Sequence, residues 1–97
     1  MKYSTKLERL RQEIDKIDSG LLTLLKNRFL LSKKVAKCKL KEKLPLYQSS
    51  RWQIMLDDRK KWAAKKKLSD NFTNKLFKLI HQESLSIQKK IAQGKKS

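Results

Sequence analysis

The sequence predicts an all-helical fold, and two observations lead to this prediction. From Leu7 to Lys39, apolar residues recur at alternating spacings of three and four, the pattern of an amphipathic or coiled-coil helix. Pro45 is the only proline and Gly20 and Gly94 are the only glycines, so the 97 residues supply few turns for a β fold. We expect one domain, residues 1–97, with three helices at about 5–41, 50–66 and 70–92.

The apolar stripe of the first helix contains one cation. Arg28 occupies a stripe position, and burying an unpaired charge costs several kcal/mol. Arg28 is therefore expected to be paired or to bind a ligand. The stripe consists of Leu7, Leu10, Ile14, Ile17, Leu21, Leu24, Arg28, Leu31, Val35 and Cys38.

The first helix is too long to be covered by its own domain. At ~1.5 Å per residue it spans roughly 50 Å, whereas a compact monomer of this size has a radius of gyration of about 12–13 Å. A second copy is needed to cover the leucines of the stripe. We expect an intertwined two-fold homodimer whose long helices pair antiparallel.

A loop around Pro45 separates the first two helices. Periodicity is lost over residues 41–47, and Pro45 disfavours helix at Leu44. Ser49 or Ser50 is expected to cap the second helix. Its predicted inner face is Trp52, Met55, Leu56, Trp62 and Ala63.

The third helix is expected to begin at Ser69 or Asp70. Its edge carries His81, Ser84 and Gln88 at positions i, i+3 and i+7. Taken alone, Ser84 and Gln88 would be ordinary surface residues and His81 a partly exposed one. The predicted apolar face is Phe72, Leu76, Leu79, Ile80, Leu85, Ile87 and Ile91.

The net charge of +17 makes a basic nucleic-acid-binding module one hypothesis. Lysine supplies 21 of the 26 basic residues, however, and arginine only five. Because base and phosphate contacts favour arginine, the scattered lysines are more typical of solvated helix faces. An attraction for small anions follows in both cases.

Several further expectations concern location and chemistry. No signal sequence opens the chain and no apolar run approaches about 20 residues, so we expect a cytoplasmic protein. Cys38 lies on the apolar stripe and is expected to be a small buried hydrophobe. His81 has no second histidine or carboxylate cluster beside it in the sequence, so no metal site is expected.

Six polar residues form a candidate site for a small di-acid. Arg28 and Lys39 are eleven residues apart and so share a helix face, separated by roughly 16 Å of rise. Arg11 lies roughly 25 Å from Arg28 in its own chain, but an antiparallel dimer brings the partner's Arg11 beside the interval from Arg28 to Lys39. Lys39 and Gln88 are suited to stabilise developing negative charge. The set is completed by Arg51 and Ser84.

Five short segments occur in an order that is more specific than any one of them. They are LRQEIDKID at 10–18, LTLLKNR at 22–28, VAKCK at 35–39, PLY at 45–47 followed by Arg51, and LFKLIHQESLSIQ at 76–88. This ordered set resembles the all-α (type II) chorismate mutases over about residues 5–92.

The resemblance implies an intertwined dimer of three-helix chains that rearranges chorismate to prephenate, in aromatic amino acid biosynthesis, without a cofactor. It implies that Arg28 and the partner's Arg11 hold the substrate's carboxylates. Lys39 and Gln88 would donate to the ether oxygen whose bond breaks. Arg51 and Ser84 would assist in binding.

Two positions depart from the family pattern. An acidic residue is usual at Gln48, and a glutamate that helps to bind the ring hydroxyl is usual at Trp52. Both are expected to contact the substrate here, although Trp52 is as well explained as a core aromatic. The related isochorismate pyruvate lyases carry an apolar residue at that position, so lyase activity is the alternative. Pro45, Tyr47 and the spacing of Ser84 and Gln88 favour the mutase.

Overall fold

The computed structural model describes residues 5–94, and all the regular structure in this range is helical. Helix α1 spans Thr5–Lys41, α2 spans Ser49–Lys65 and α3 spans Asp70–Ala92. The predicted all-helical class and the three helices, with a first helix of 37 residues, are confirmed. The chain divides into two units, Met1–Leu31 and Ser32–Ser97, which are described separately.

Helix α1 ends where the sequence predicts. Lys39 and Lys41 place positive charge in its last turn, which complements the negative end of the helix dipole. Lys43 then adopts a left-handed conformation with φ of 55°. This turn lets the backbone N–H of Leu44 donate to the carbonyl of Lys39 at 2.8 Å, as at many helix C-termini.

The caps of the other two helices differ in kind. The prediction that Ser49 or Ser50 caps α2 is wrong, because the N-cap is Gln48, whose side chain makes no capping hydrogen bond. Gln48 has an extended backbone, and its carbonyl already accepts from the Trp52 N–H at 3.0 Å. Ser69 does cap α3, and its hydroxyl accepts from the backbone N–H of Phe72 at 3.1 Å.

The apolar core of the second unit is small. Of the predicted inner face of α2, Met55, Leu56 and Ala63 are buried, but Trp62 is 52% exposed. Trp62 lies outside the core, and the Arg59 guanidinium lies over its ring, 4.6 Å from the ring centroid. Among the described residues, the buried apolar set is Ala36, Met55, Leu56, Ala63 and Ile80.

The buried line of α3 is rotated from the predicted apolar face. Ile80 is buried as expected, but Phe72 and Leu79 are exposed, Leu79 by 65%. The residues buried with Ile80 are polar: Thr73, Ser84 and Gln88. The prediction failed because hydrogen bonding inside the unit allows hydroxyls and an amide to be buried where apolar residues were expected.

The apolar stripe of α1 is largely exposed in the first unit. Ile17 is 63% exposed and Leu24 is 66% exposed, while Arg28 is half-buried. Within residues 5–94, no helix is both long enough and apolar enough to cross a membrane. The other exposed members of the stripe in this unit are Leu7, Leu10, Ile14, Leu21 and Leu31.

The prediction of a buried Cys38 is wrong for the single chain. Cys38 is exposed, and its thiol donates to the Glu42 carboxylate, with Sγ and Oε2 2.9 Å apart. The hydrogen bond to Glu42 and the negative charge of that residue raise the pKa of the Cys38 thiol. Cys38 lies in the last turn of α1, and Glu42 is in the turn that directly follows the helix.

Candidate functional site

Three predicted site residues meet in one hydrogen-bonded group. Lys39 Nζ donates to Gln88 Oε1 at 3.0 Å and also to the carbonyl of Leu46. Gln88 Nε2 donates to Ser84 Oγ at 3.3 Å, and the hydroxyls of Ser84 and Ser32 are 2.6 Å apart. We call Ser32, Lys39, Ser84 and Gln88 the polar cluster.

Helix geometry explains why these four side chains converge. Ser84 and Gln88 are four residues apart on α3, and Ser32 and Lys39 are seven apart on α1, so each pair shares a helix face. Ser32, Ser84 and Gln88 are all buried, so Ser84 and Gln88 are not ordinary surface residues. The sequence analysis missed Ser32, although its two-turn spacing from Lys39 was a usable signal.

The charge of Lys39 is held among neutral groups. Its two acceptors within the described residues are an amide oxygen, of Gln88, and a backbone carbonyl, of Leu46. Partial burial removes water from the ammonium and lowers the pKa of Lys39. A desolvated ammonium with no carboxylate acceptor among these bonds is suited to interact with an anionic or electron-rich ligand.

Three aromatic side chains pack together in the same unit. The Trp52 indole and the His81 imidazole stack with centroids 4.3 Å apart and an angle of 19° between their planes. The Tyr47 ring is 5.9 Å from His81 and tilted by 55°. Trp52 and His81 are half-buried, which confirms the partly exposed state predicted for His81. We call these three residues the aromatic wall; its long-range stacking was not predicted.

The aromatic wall adjoins the polar cluster along the chain. Tyr47 directly follows Leu46, whose carbonyl binds Lys39, and His81 is three residues before Ser84 on α3. Trp52 directly follows Arg51 on α2. One covalent neighbour connects Tyr47 to the hydrogen-bonded group and one helix turn connects His81 to it, while Trp52 is connected through its stacking on His81.

Gln48 and Arg51 lie at the start of α2: Gln48 is the N-cap residue and Arg51 is in the first turn. Gln48 is half-buried and Arg51 is exposed. The hydrogen bonds that join the polar cluster involve neither side chain. Desolvation lowers the pKa of Arg59, and the positive charge of Arg51 lowers it further. The negative charge of Asp58 acts on the pKa of Arg59 in the opposite direction.

The remaining two predicted site residues belong to the first unit. Arg11 is exposed and lies 4.0 Å from the Glu8 carboxylate, one turn earlier on α1. Arg28 is half-buried. Of the predicted substrate-binding and catalytic residues, the other six lie in the second unit: Lys39, Gln48, Arg51, Trp52, Ser84 and Gln88.

The fold and the polar cluster together define an all-helical protein with a largely buried hydrogen-bonded group that includes a lysine. In the described part of the chain, no group of three or more His, Cys, Asp and Glu side chains could hold a metal ion. The profile of the chorismate mutase type II family matches residues 10–89, and the chain belongs to this family.

Three curated relatives are similar to most of this chain. The bifunctional chorismate mutase/prephenate dehydratase of Buchnera aphidicola is 35% identical over 81 residues, which cover 84% of this chain but only 21% of that protein. The chain thus spans about a fifth of that relative. The 4-amino-4-deoxychorismate mutase of Streptomyces venezuelae is 28% identical, covering 91% of this chain and 85% of its own length. The chorismate mutase of Methanocaldococcus jannaschii is 29% identical, covering 87% and 85%.

Proposed function

We propose that this chain rearranges chorismate to prephenate. The observation that carries the proposal is the pair of Lys39 and Gln88, joined at 3.0 Å inside the segment that matches the family. In this pericyclic reaction one ether C–O bond breaks while one C–C bond forms, and no proton is transferred. An enzyme therefore needs only to hold the reactive conformation and stabilise the negative charge that develops on the ether oxygen.

The hydrogen-bonding capacity of the pair fits this task. A lysine ammonium has three N–H donors, and two of those of Lys39 are used by Gln88 and Leu46. Gln88 Nε2 has two donors, of which one is used by Ser84. One donor on each side chain is left for an ether oxygen, and the existing bonds hold both groups in place before the substrate arrives.

We propose that a second copy of the chain completes the site. The exposed apolar stripe of α1, including Ile17 and Leu24, supports a homodimer because contiguous apolar surface of this kind is usual at interfaces. In this dimer Arg28 and the partner's Arg11 bind the two carboxylates. The remaining substrate-binding residues are Arg51, Ser84, Gln48 and Trp52.

The activity is tested by the loss of chorismate absorbance together with the appearance of prephenate. Lys39→Ala should abolish the catalysed rate, while Lys37→Ala, a loss of the same charge from an exposed position on the same helix, should leave it near wild type. Absence of turnover by the wild-type protein at high enzyme concentration would refute the proposal.

The shared site is tested by mixing two inactive variants, Arg11→Ala and Arg28→Ala. If each site takes Arg11 from one chain and Arg28 from the other, a mixed dimer contains one intact site. Random exchange makes half of the dimers mixed, so roughly a quarter of the wild-type activity should return. Failure to recover activity although exchange is demonstrated by mass spectrometry would exclude the shared site.

Isochorismate pyruvate lyase activity is the second candidate. It is favoured by the uncharged indole of Trp52, stacked on His81 at 4.3 Å. Supplying chorismate and isochorismate side by side decides between the two, since only the lyase releases pyruvate. The cytoplasmic location, the role in aromatic amino acid biosynthesis and the independence from cofactors stay predictions.

A further inference from the structure

We propose that this site selects its substrate by charge at one ring position: it accepts a neutral hydroxyl beside the ether oxygen and disfavours an ammonium group there. The inference rests on the proposed mutase activity and deepens it. Chorismate carries the hydroxyl at this position. The corresponding amine is 4-amino-4-deoxychorismate, the compound in the name of the Streptomyces venezuelae relative. The compounds differ only in that substituent.

The chemistry of the ring places this substituent near Lys39. In chorismate the hydroxyl and the ether oxygen are attached to neighbouring ring carbons. If Lys39 and Gln88 donate to the ether oxygen, the group on the next carbon lies close to the Lys39 ammonium. A hydroxyl adds no charge, whereas an aliphatic amine is protonated near neutral pH and brings a second positive charge.

Neither hydrogen-bond acceptor of Lys39 is negatively charged, so neither offsets that second positive charge. The acceptors of the Lys39 ammonium are the neutral Leu46 carbonyl and Gln88 amide. Because Lys39 is partly removed from water, repulsion from a neighbouring cation is screened less than at the surface. The site is therefore better suited to the hydroxyl compound.

The aromatic wall is connected to the acceptors of Lys39 along the chain, and its three residues carry rings and no carboxylate. Tyr47 follows the carbonyl that binds Lys39, and Trp52 stacks on His81, one turn before Ser84. The face of an aromatic ring does attract an ammonium. One face of the Trp52 indole is occupied by His81, however, and the full positive charges of Lys39 and the adjacent Arg51 oppose a further cation.

The first test compares the two compounds as substrates. We expect kcat/KM of the wild-type protein to be at least about tenfold lower for 4-amino-4-deoxychorismate than for chorismate. Trp52→Glu adds a carboxylate to the wall and should move this ratio at least about tenfold toward the amino compound. Trp52→Phe is the matched control, because it keeps an uncharged ring and should keep the ratio, whatever its effect on the absolute rates.

A second readout does not need turnover. The chain has two tryptophans, so Trp62→Phe leaves Trp52 as the only indole, in direct contact with His81. Trp62 lies outside the proposed site, and quenching of Trp52 fluorescence then gives the affinity for each compound. Chorismate should bind at least about tenfold more tightly than the amino compound.

The possible results distinguish a failure of charge selection from a failure of the proposed mutase activity. If the protein converts both compounds equally well, charge selection is wrong while the mutase function stands. If it converts neither, the function is wrong, and equal binding in the fluorescence titration would overturn charge selection too. Should Trp52→Glu not fold, His81→Glu puts a carboxylate in place of the other stacked ring. An unchanged preference in a folded carboxylate variant overturns the role of the wall.

Discussion

Replacing Lys39 by glutamine tests the polar cluster most directly. Glutamine keeps hydrogen-bond donors near this position but removes the positive charge. Both acceptors of the Lys39 ammonium are neutral, so the substitution leaves no carboxylate without its counter-ion. The folded state therefore loses hydrogen bonds to Gln88 and Leu46 but gains no buried unpaired charge, which is the more costly defect.

The expected magnitude follows from these contacts. Removing one preorganised donor to a developing negative charge lowers kcat by about 10²–10³ in comparable sites, and charged donors are the stronger ones. We expect Lys39→Gln to lower kcat by at least that factor. Two modest hydrogen bonds to a partly exposed side chain are lost, so the free energy of unfolding should fall by about 1–2 kcal/mol.

The assay pairs chorismate turnover with urea unfolding of the same preparations. Lys37→Gln is the control, since it removes the same charge from an exposed position two residues earlier on α1. It should stay within about twofold of wild type in kcat, because an exposed lysine is screened by water. If Lys39→Gln keeps a third or more of the wild-type kcat, or loses activity only in proportion to its unfolded fraction, the charge of Lys39 does not stabilise the transition state.

Three further predictions concern pH, capping and assembly. Because the protonated form of Lys39 is the donor and its pKa is lowered, activity should fall as pH rises through a value below the ordinary 10.5, and a pH–rate profile should show this. Ser69→Ala removes the hydroxyl that accepts from Phe72 and should lower the free energy of unfolding by about 0.5–2 kcal/mol in urea. Ile17→Glu puts a charge in the exposed stripe and should yield monomers in sedimentation velocity, where wild-type protein gives dimers.

Sequence periodicity was sufficient for the helices because their signals are local. The stripe from Leu7 to Cys38 and the turn at Pro45 define α1, and Ser69 marks the start of α3 by a capping bond within four residues. The exception, the cap of α2, is instructive. Serine is a residue type that often caps helices, as Ser49 or Ser50 would. Here Gln48, with its extended backbone, takes the N-cap position, so the helix begins at Ser49.

The buried faces were harder to predict because they depend on partners far away in sequence. Ser84 and Gln88 are buried through bonds to Ser32 and Lys39, which are 52 and 49 residues away. Phe72 and Leu79 look like core residues by spacing alone, yet both are exposed in the single chain. A rule based on hydropathy assigns these positions wrongly because it does not count hydrogen bonds between helices.

The stacked pair of Trp52 and His81 has no local signature. Twenty-nine positions separate the two rings, and nothing in either helix requires them to meet. The position of His81 one turn before Ser84 was the available hint, since it places the imidazole close to the line that carries the polar cluster. The sequence can therefore predict members of the polar cluster. The stacking of Trp52 on His81 depends on the packing of α2 against α3 and has no signal in the sequence.

The small core connects stability to the proposed site. In the part of the chain that the structure describes, only five apolar residues are buried, two of them alanines, and no large side chain is fully enclosed. A chain of this length normally buries well over half of its unfolded surface. Each Å² of apolar surface covered contributes about 25 cal/mol, so covering Ile17, Leu24 and the rest of the exposed stripe would add to the stability that this small core supplies. In the proposed homodimer the same association would bring the partner's Arg11 to the site, so that stability and completion of the site would depend on one interface.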